Sequence, residues 1–143
     1  MAQRTVLFLC TGNSCRSQMA EGWLRYYAGE RAKVFSAGTK PAELNPMAVA
    51  VMREAGVDIS AHISKHVDAV TGQDFLFVIT VCDAAREACP VFPGALYQLH
   101  WSFEDPAAAA GTDEERLRVF RRVRDEIRDR VSEFAQREGF VSR

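Results

Sequence analysis

The sequence predicts an α/β domain built on a parallel sheet covered by helices on both faces. Three observations carry this prediction. Strand-like and helix-like stretches alternate along the chain, the pattern of repeated strand-helix-strand units. The stretch 74–81 reads Asp-Phe-Leu-Phe-Val-Ile-Thr-Val. Its apolar residues are continuous rather than alternating, as in a central strand buried on both faces. The apolar run 5–9 leads straight into Cys10-Thr-Gly-Asn-Ser-Cys-Arg-Ser17, and a helical pattern follows. A strand, a small-residue loop and a helix in that order suit anion binding at a strand end.

The first strand is expected over about 4–10, and the first helix from Arg16. Ala20, Trp23, Leu24 and Tyr27 recur at helical spacing, and Gly29 is a suitable stop. Residues 32–38 read as a short second strand. Asn45-Pro46 starts a second helix, with Asn45 as cap and Pro46 in the first helical position. Val49, Met52 and Ala55 form its apolar face, and Gly56 closes it. Residues 58–72 are polar and irregular. After the central strand, residues 83–88 favour a short helix. Residues 95–101 form a fourth strand, and Asp105-Pro106 ends the loop after it. Thr112 and Glu115 fit a capping box. The last helix runs from there to about 137, with Leu117, Phe120, Val123, Ile127, Val131 and Phe134 as one core stripe. Glu114 with Arg118, and Glu126 with Arg130, have helix-stabilising spacing.

A chain of 143 residues suits one catalytic domain, 1–143, with a proper core. Hydrophobic content of 48% and charged content of 26% are those of an ordinary globular protein. A net charge of −1 leaves no broad basic footprint for nucleic acid or membrane. Gln3 and Arg4 lead into an apolar run too short for a secretory signal. No apolar stretch approaches membrane-spanning length. A cytoplasmic location is therefore expected. The four cysteines, Cys10, Cys15, Cys82 and Cys89, then read as redox-active, catalytic or metal-binding thiols rather than a disulfide scaffold. There is no C-x2-C pair, and His62, His66 and His100 fall at no zinc-finger spacing, so no metal site is expected.

Cys10 and Arg16 bracket five residues. A loop of that length can wrap one tetrahedral oxyanion with backbone N–H groups and the helix N-terminus. The Arg16 guanidinium can grip two anion oxygens, and the same field makes Cys10 a thiolate nucleophile. Ligands of open parallel sheets sit beyond the C-terminal ends of the strands. Cys82 follows the third strand and Asp105 lies in the loop after the fourth, so both join the candidate site. If the first and third strands are neighbours, their axes lie about 4.8 Å apart. Cys82 can then approach Cys10, with loop movement before bridging. Asp105, held by Pro106, is the candidate general acid for a departing oxygen. If residues 83–88 are helical, the Cα atoms of Cys82 and Cys89 are about 10.5 Å apart, too far for a disulfide. Either both thiols stay reduced or the segment unwinds when they join. Unwinding is inexpensive, because isolated helices this short are marginal.

Together these residues resemble the thioredoxin-coupled arsenate reductases, which share the low-molecular-weight protein tyrosine phosphatase fold. The resemblance covers nearly the whole chain. It rests on V-L-F-L-C-T-G-N-S-C-R-S-Q-M-A-E at 6–21, F-S-A-G at 35–38, N-P at 45–46, I-T-V-C at 79–82, C-P at 89–90, H-W-x-F-x-D-P at 100–106 and R-V-R-D-E-I at 122–127. It implies a three-layer sandwich whose four parallel strands run in the order 2-1-3-4. It implies that the loop Thr11, Gly12, Asn13, Ser14, Cys15, Arg16 and Ser17 binds arsenate, with phosphate and sulfate as competing anions. Asn13 and Ser17 match positions that shape the loop and stabilise the thiolate, and Cys15 is a thiol outside the relay. The implied relay begins with attack by Cys10 and proton donation by Asp105. It continues through a Cys10–Cys82 disulfide to a Cys82–Cys89 disulfide. Thioredoxin is the implied electron donor, with no tightly bound cofactor, and a monomer is expected. Members that bind potassium beside the loop use positions matching Asn13, Glu21 and Ser36 together with an acid where this chain has Lys65. The Lys65 ammonium is expected to occupy the cation's place or replace it electrostatically, with Glu21 as a partner.

Two other functions fit parts of the pattern. A phosphatase acting on phosphotyrosine or aryl phosphates would use the same loop, Arg16 and Asp105. It would leave Cys82 and Cys89 unnecessary, and alanines follow Pro106 where the resembling phosphatases carry aromatics. A non-enzymatic oxyanion-binding or redox-sensing module would bind or oxidise without turnover.

Overall fold

The computed structural model describes residues 4–88 and 91–141. Four six-residue strands form one parallel sheet: β1 (Thr5–Cys10), β2 (Lys33–Gly38), β3 (Phe75–Thr80) and β4 (Ala95–His100). Their order is β2-β1-β3-β4, as the resemblance implies. The helices are α1 (Arg16–Ala28), α2 (Pro46–Glu54), α3 (Asp83–Ala88) and α4 (Asp113–Arg137). The segment 58–72 is more ordered than its polarity suggests. Val67–Ala69 forms a one-turn 3-10 helix capped by His66, and His66 bridges to Gly38 at the end of β2.

Side-chain alternation in β1 divides the core in two. Val6 and Phe8 face the larger cluster with α1, α2 and α4, while Leu7 and Leu9 face the smaller one. β3 sits between β1 and β4 and feeds both clusters, Phe77 and Ile79 on one face and Phe75 and Val78 on the other. This two-sided burial is why its apolar run is continuous. The long helices gather on the face of the larger cluster. The second face is closed by Val70, Phe92 and the 3-10 turn at Val67.

Local signals end the helices where the sequence places them. Asn45 Oδ1 accepts from the amides of Met47 (2.8 Å) and Ala48 (3.4 Å). Thr112 and Glu115 complete the capping box at the start of α4. Caps of this kind contribute about 1 kcal/mol each. The buried stripe of α4 includes Phe120, Val123, Ile127, Val131 and Phe134, as the spacing predicts. The charge pairs differ from the two expected from the sequence. Glu126 pairs with Arg122 rather than Arg130, at 3.0 Å, and the Arg130 guanidinium lies over the Trp101 ring. Glu114 pairs with Arg121, which also binds Glu54 of α2. Arg130 is thus held by a tertiary neighbour, and Arg121 bridges α4 to α2.

Gly38 ends β2 against the loop that leaves β1. A Cβ there would meet the Thr11 carbonyl oxygen and lie 3.0 Å from both the Cβ and the N of Asn13. The two chain segments approach too closely for any side chain. Gly38→Ala is expected to lower unfolding stability by about 1–3 kcal/mol and to weaken oxyanion binding. Urea unfolding and phosphate titration check both effects.

Candidate active site

β1 ends at Cys10 and α1 begins at Arg16, so the loop between them crosses the C-terminal edge of the sheet. Its carbonyls are drawn outward by a strap at 39–45. The amides of Thr39, Lys40, Ala42 and Asn45 donate to the carbonyls of Cys10, Thr11, Gly12 and Ser14 at 2.8–3.2 Å. Gln18 Nε2 takes the Asn13 carbonyl at 3.1 Å. With the carbonyls held away, the amides of residues 14–17 meet no acceptor among the described residues. They and the N-terminus of α1 form a cradle for an anion.

Asn13 holds this shape. It is the one non-glycine residue at positive φ (48°) among the described residues, in the left-handed region that asparagine tolerates. Its side chain is fully buried. Asn13 Oδ1 accepts from the Lys65 amide at 2.9 Å, which sets the orientation of the side-chain amide. Nδ2 then donates to Ser17 Oγ (2.8 Å) and Ser36 Oγ (2.9 Å). Ser36 passes its own proton to Glu21 Oε1 at 2.5 Å. As a thiolate, Cys10 Sγ can only accept, so Ser17 Oγ at 2.8 Å donates to it. The Asn13 amide donates to the same sulfur at 3.2 Å. Cys10 Sγ thus receives two hydrogen bonds, the arrangement that stabilises a thiolate.

Arg16 and Asp105 meet across the cradle. Arg16 Nη1 donates to the Phe103 carbonyl at 3.1 Å, and Nη2 lies 3.8 Å from Asp105 Oδ2. Asp105 caps the 3-10 turn Pro106–Ala108 through the Ala107 amide at 3.0 Å. Its carboxyl is half exposed and able to exchange protons with solvent. Cys82 enters from the end of β3, where Thr11 Oγ1 lies 3.4 Å from Cys82 Sγ. Thr11 follows Cys10 in the chain, so a second thiol reaches the loop that Cys10 begins. Cys10, Cys15 and Cys82 are all free thiols. Cys89, the third member of the expected relay, lies outside the described residues.

These geometries coincide with a family match. The model for low molecular weight phosphotyrosine protein phosphatase matches residues 5–139. The chain belongs to this family. The arsenate reductase of Bacillus licheniformis is 49% identical over 136 residues, covering 95% of this chain and 98% of that protein. The arsenate reductase of Bacillus subtilis is 48% identical with the same coverage. Among solved structures, an arsenate reductase in the phosphate binding state superposes with a TM-score of 0.81 at 32% identity, covering 94% of this chain and 98% of that one. The thioredoxin-dependent arsenate reductase of Corynebacterium glutamicum superposes at 0.70 with 29% identity, covering 94% of this chain and 61% of that chain.

One expectation about this phosphatase-family site is corrected. Lys65 does not pair with Glu21. Its ammonium folds back onto the Ile63 carbonyl at 3.1 Å, while its backbone amide serves Asn13. Arg25, one turn along α1, reaches Glu21 Oε2 at 2.9 Å instead, because (i, i+4) spacing on a helix brings the two together. Sequence reading also missed Gln18 and His62. Gln18 is fully buried and joins the loop to His62, whose Nδ1 lies 2.9 Å from Gln18 Oε1. Burial holds His62 below the usual imidazole range, against the pull of Glu21 at 3.9 Å. No local signal marked either residue, because Gln18 shares its helix face with the charged Glu21 and Arg25.

Cys15 is chemically set apart from Cys10. Burial pushes its thiol up to about 11, with Asp105 and Cys10 adding to the rise while Ser14 and Arg16 oppose it. At pH 8 its thiolate fraction is roughly one in a thousand. Iodoacetamide at pH 8 is expected to leave Cys15 unlabelled in the folded protein and to label it after denaturation. Peptide mass spectrometry checks this.

Proposed function

We propose that this chain reduces arsenate to arsenite by a thiol–disulfide relay of Cys10, Cys82 and Cys89, regenerated by thioredoxin. The observation that carries the reading is the second thiol, Cys82, placed against Thr11 beside a doubly hydrogen-bonded Cys10. A phosphatase has no use for it. The high identity to arsenate reductases over nearly the full chain supports the same reading.

In this mechanism the cradle at residues 11–17 and Arg16 hold arsenate. Cys10 sulfur attacks arsenic, and one oxygen leaves as water with a proton from Asp105. Cys82 thiolate then attacks Cys10 sulfur. The S–As bond breaks, and its electron pair leaves with arsenic as arsenite. Two electrons have passed from the two sulfurs to arsenic, leaving a Cys10–Cys82 disulfide. Cys89 thiolate attacks Cys82, frees Cys10 and leaves Cys82–Cys89. A thioredoxin dithiol restores both thiols by exchange. The relationship to a thioredoxin-dependent reductase supports this choice of donor. A cytoplasmic monomer suits a relay that must return to free thiols, and no helix among the described residues is long and apolar enough to cross a membrane.

In a thioredoxin, thioredoxin reductase and NADPH assay, wild type is expected to consume NADPH only when arsenate is present. Cys82→Ser and Cys89→Ser are expected to lose multiple turnover by at least about 100-fold, while weak aryl phosphatase activity persists. Equal turnover by Cys89→Ser would overturn the relay. Aryl phosphate hydrolysis at enzyme-like rates, with no arsenate-dependent oxidation, would favour the phosphatase instead.

Glu21 already carries a cationic partner, the guanidinium of Arg25. Turnover and melting temperature are therefore expected to be the same in potassium and in tetramethylammonium salts of equal ionic strength. A potassium-dependent rise in either quantity would contradict this.

A further inference from the structure

Cys82 runs directly into α3, and the first residue of that helix is held from outside it. His100 Nε2 lies 2.7 Å from Asp83 Oδ1. Behind the ring, His100 Nδ1 lies 2.7 Å from Thr80 Oγ1. Thr80 and His100 are register partners at the C-terminal ends of β3 and β4, and Thr80 is buried. The imidazole is thus mounted on the sheet and aimed at α3. An ionised carboxylate only accepts hydrogen bonds, so Nε2 carries the hydrogen. The bond from His100 holds the Asp83 carboxyl below the usual carboxylate range, which keeps it an acceptor at neutral pH.

Little else anchors α3. It has six residues, and Ala85 is the one buried among them. The first bond closing the helix, from the Arg86 amide to the Cys82 carbonyl, is long at 3.3 Å. A helix of this length is marginal without tertiary support. Cys82 itself is 3% exposed, so its sulfur becomes accessible when this segment moves.

We propose that His100 is a positioning residue that latches the Cys82 segment. With Thr80 behind it, His100 clamps Asp83, keeps α3 wound and holds Cys82 buried beside Thr11. Release of Asp83 lets α3 unwind and presents Cys82 sulfur to another thiol. The proposal rests on the reading of Cys82 as a relay thiol, but the latch itself is measurable without arsenate.

The test uses the reduced full-length protein. Hydrogen exchange of the amides at 83–88 is expected to accelerate at least about fivefold in Asp83→Ala and in His100→Phe. The double variant is expected to show no more than the larger single effect. His100→Gln, whose side-chain amide can still donate to Asp83, is expected to retain most of the protection. Alkylation of Cys82 by iodoacetamide should accelerate in step with exchange, while Cys10 alkylation stays unchanged. Unchanged exchange in Asp83→Ala, additive effects in the double variant, or faster exchange without faster Cys82 alkylation would each overturn the latch. Asp83 is exposed, so its variant keeps the test decisive if His100→Phe does not fold. Failure of the arsenate reading would appear separately, as absent arsenate-dependent turnover in wild type.

Discussion

The buried side chain of Asn13 is the constraint on which the site depends. Its amide makes hydrogen bonds to four partners: Ser17, Ser36, the Lys65 backbone and Gln18. These bonds hold Asn13 in a left-handed backbone conformation. That conformation turns the peptide so that its amide points at Cys10 sulfur. The same contacts place the Ser17 hydroxyl against the sulfur and turn the Ser36 hydroxyl toward Glu21. A buried amide with any of these partners removed would carry an unsatisfied polar group at a cost of about 1–3 kcal/mol. The network therefore favours one loop geometry over a set of near-equivalent ones.

Away from this centre, α3 is lightly held. The sheet and the α1–α2–α4 face form one apolar body. α3 is a short helix at the rim, attached through a polar contact to its first residue. This division suits thiol exchange. The nucleophile must be rigidly oriented while it attacks, whereas sulfurs passing a disulfide along must change neighbours. Cys10 sits in the rigid part and Cys82 at the boundary.

Much of the site was legible in the chain because its signals are local. Cys10, Arg16 and the small residues between them lie within one loop, and strand, loop and helix periodicities frame them. Asn45-Pro46 and Thr112 with Glu115 mark helix starts because capping involves residues two to three apart. What was not legible arises where distant segments meet. Lys65 looked like the partner of Glu21 by residue type and position in a motif. The direction of its side chain depends on a loop path that periodicity does not encode. His62 and Gln18 are 44 residues apart, and nothing in either neighbourhood marks them as a pair.

The sequence by itself determined the alternating α/β order, the buried central strand, the strand–loop–helix run that carries Cys10 and Arg16, and the candidate thiols and acid. These follow from periodicity, capping and spacing, which act over a few residues. Only the tertiary structure decided which charge answers Glu21, what the Ser17 hydroxyl touches, and how α3 is tied to the sheet. Those outcomes depend on a few ångströms and the angles between side chains from different elements. Packing of the whole domain fixes such distances, and no single stretch of the chain contains them.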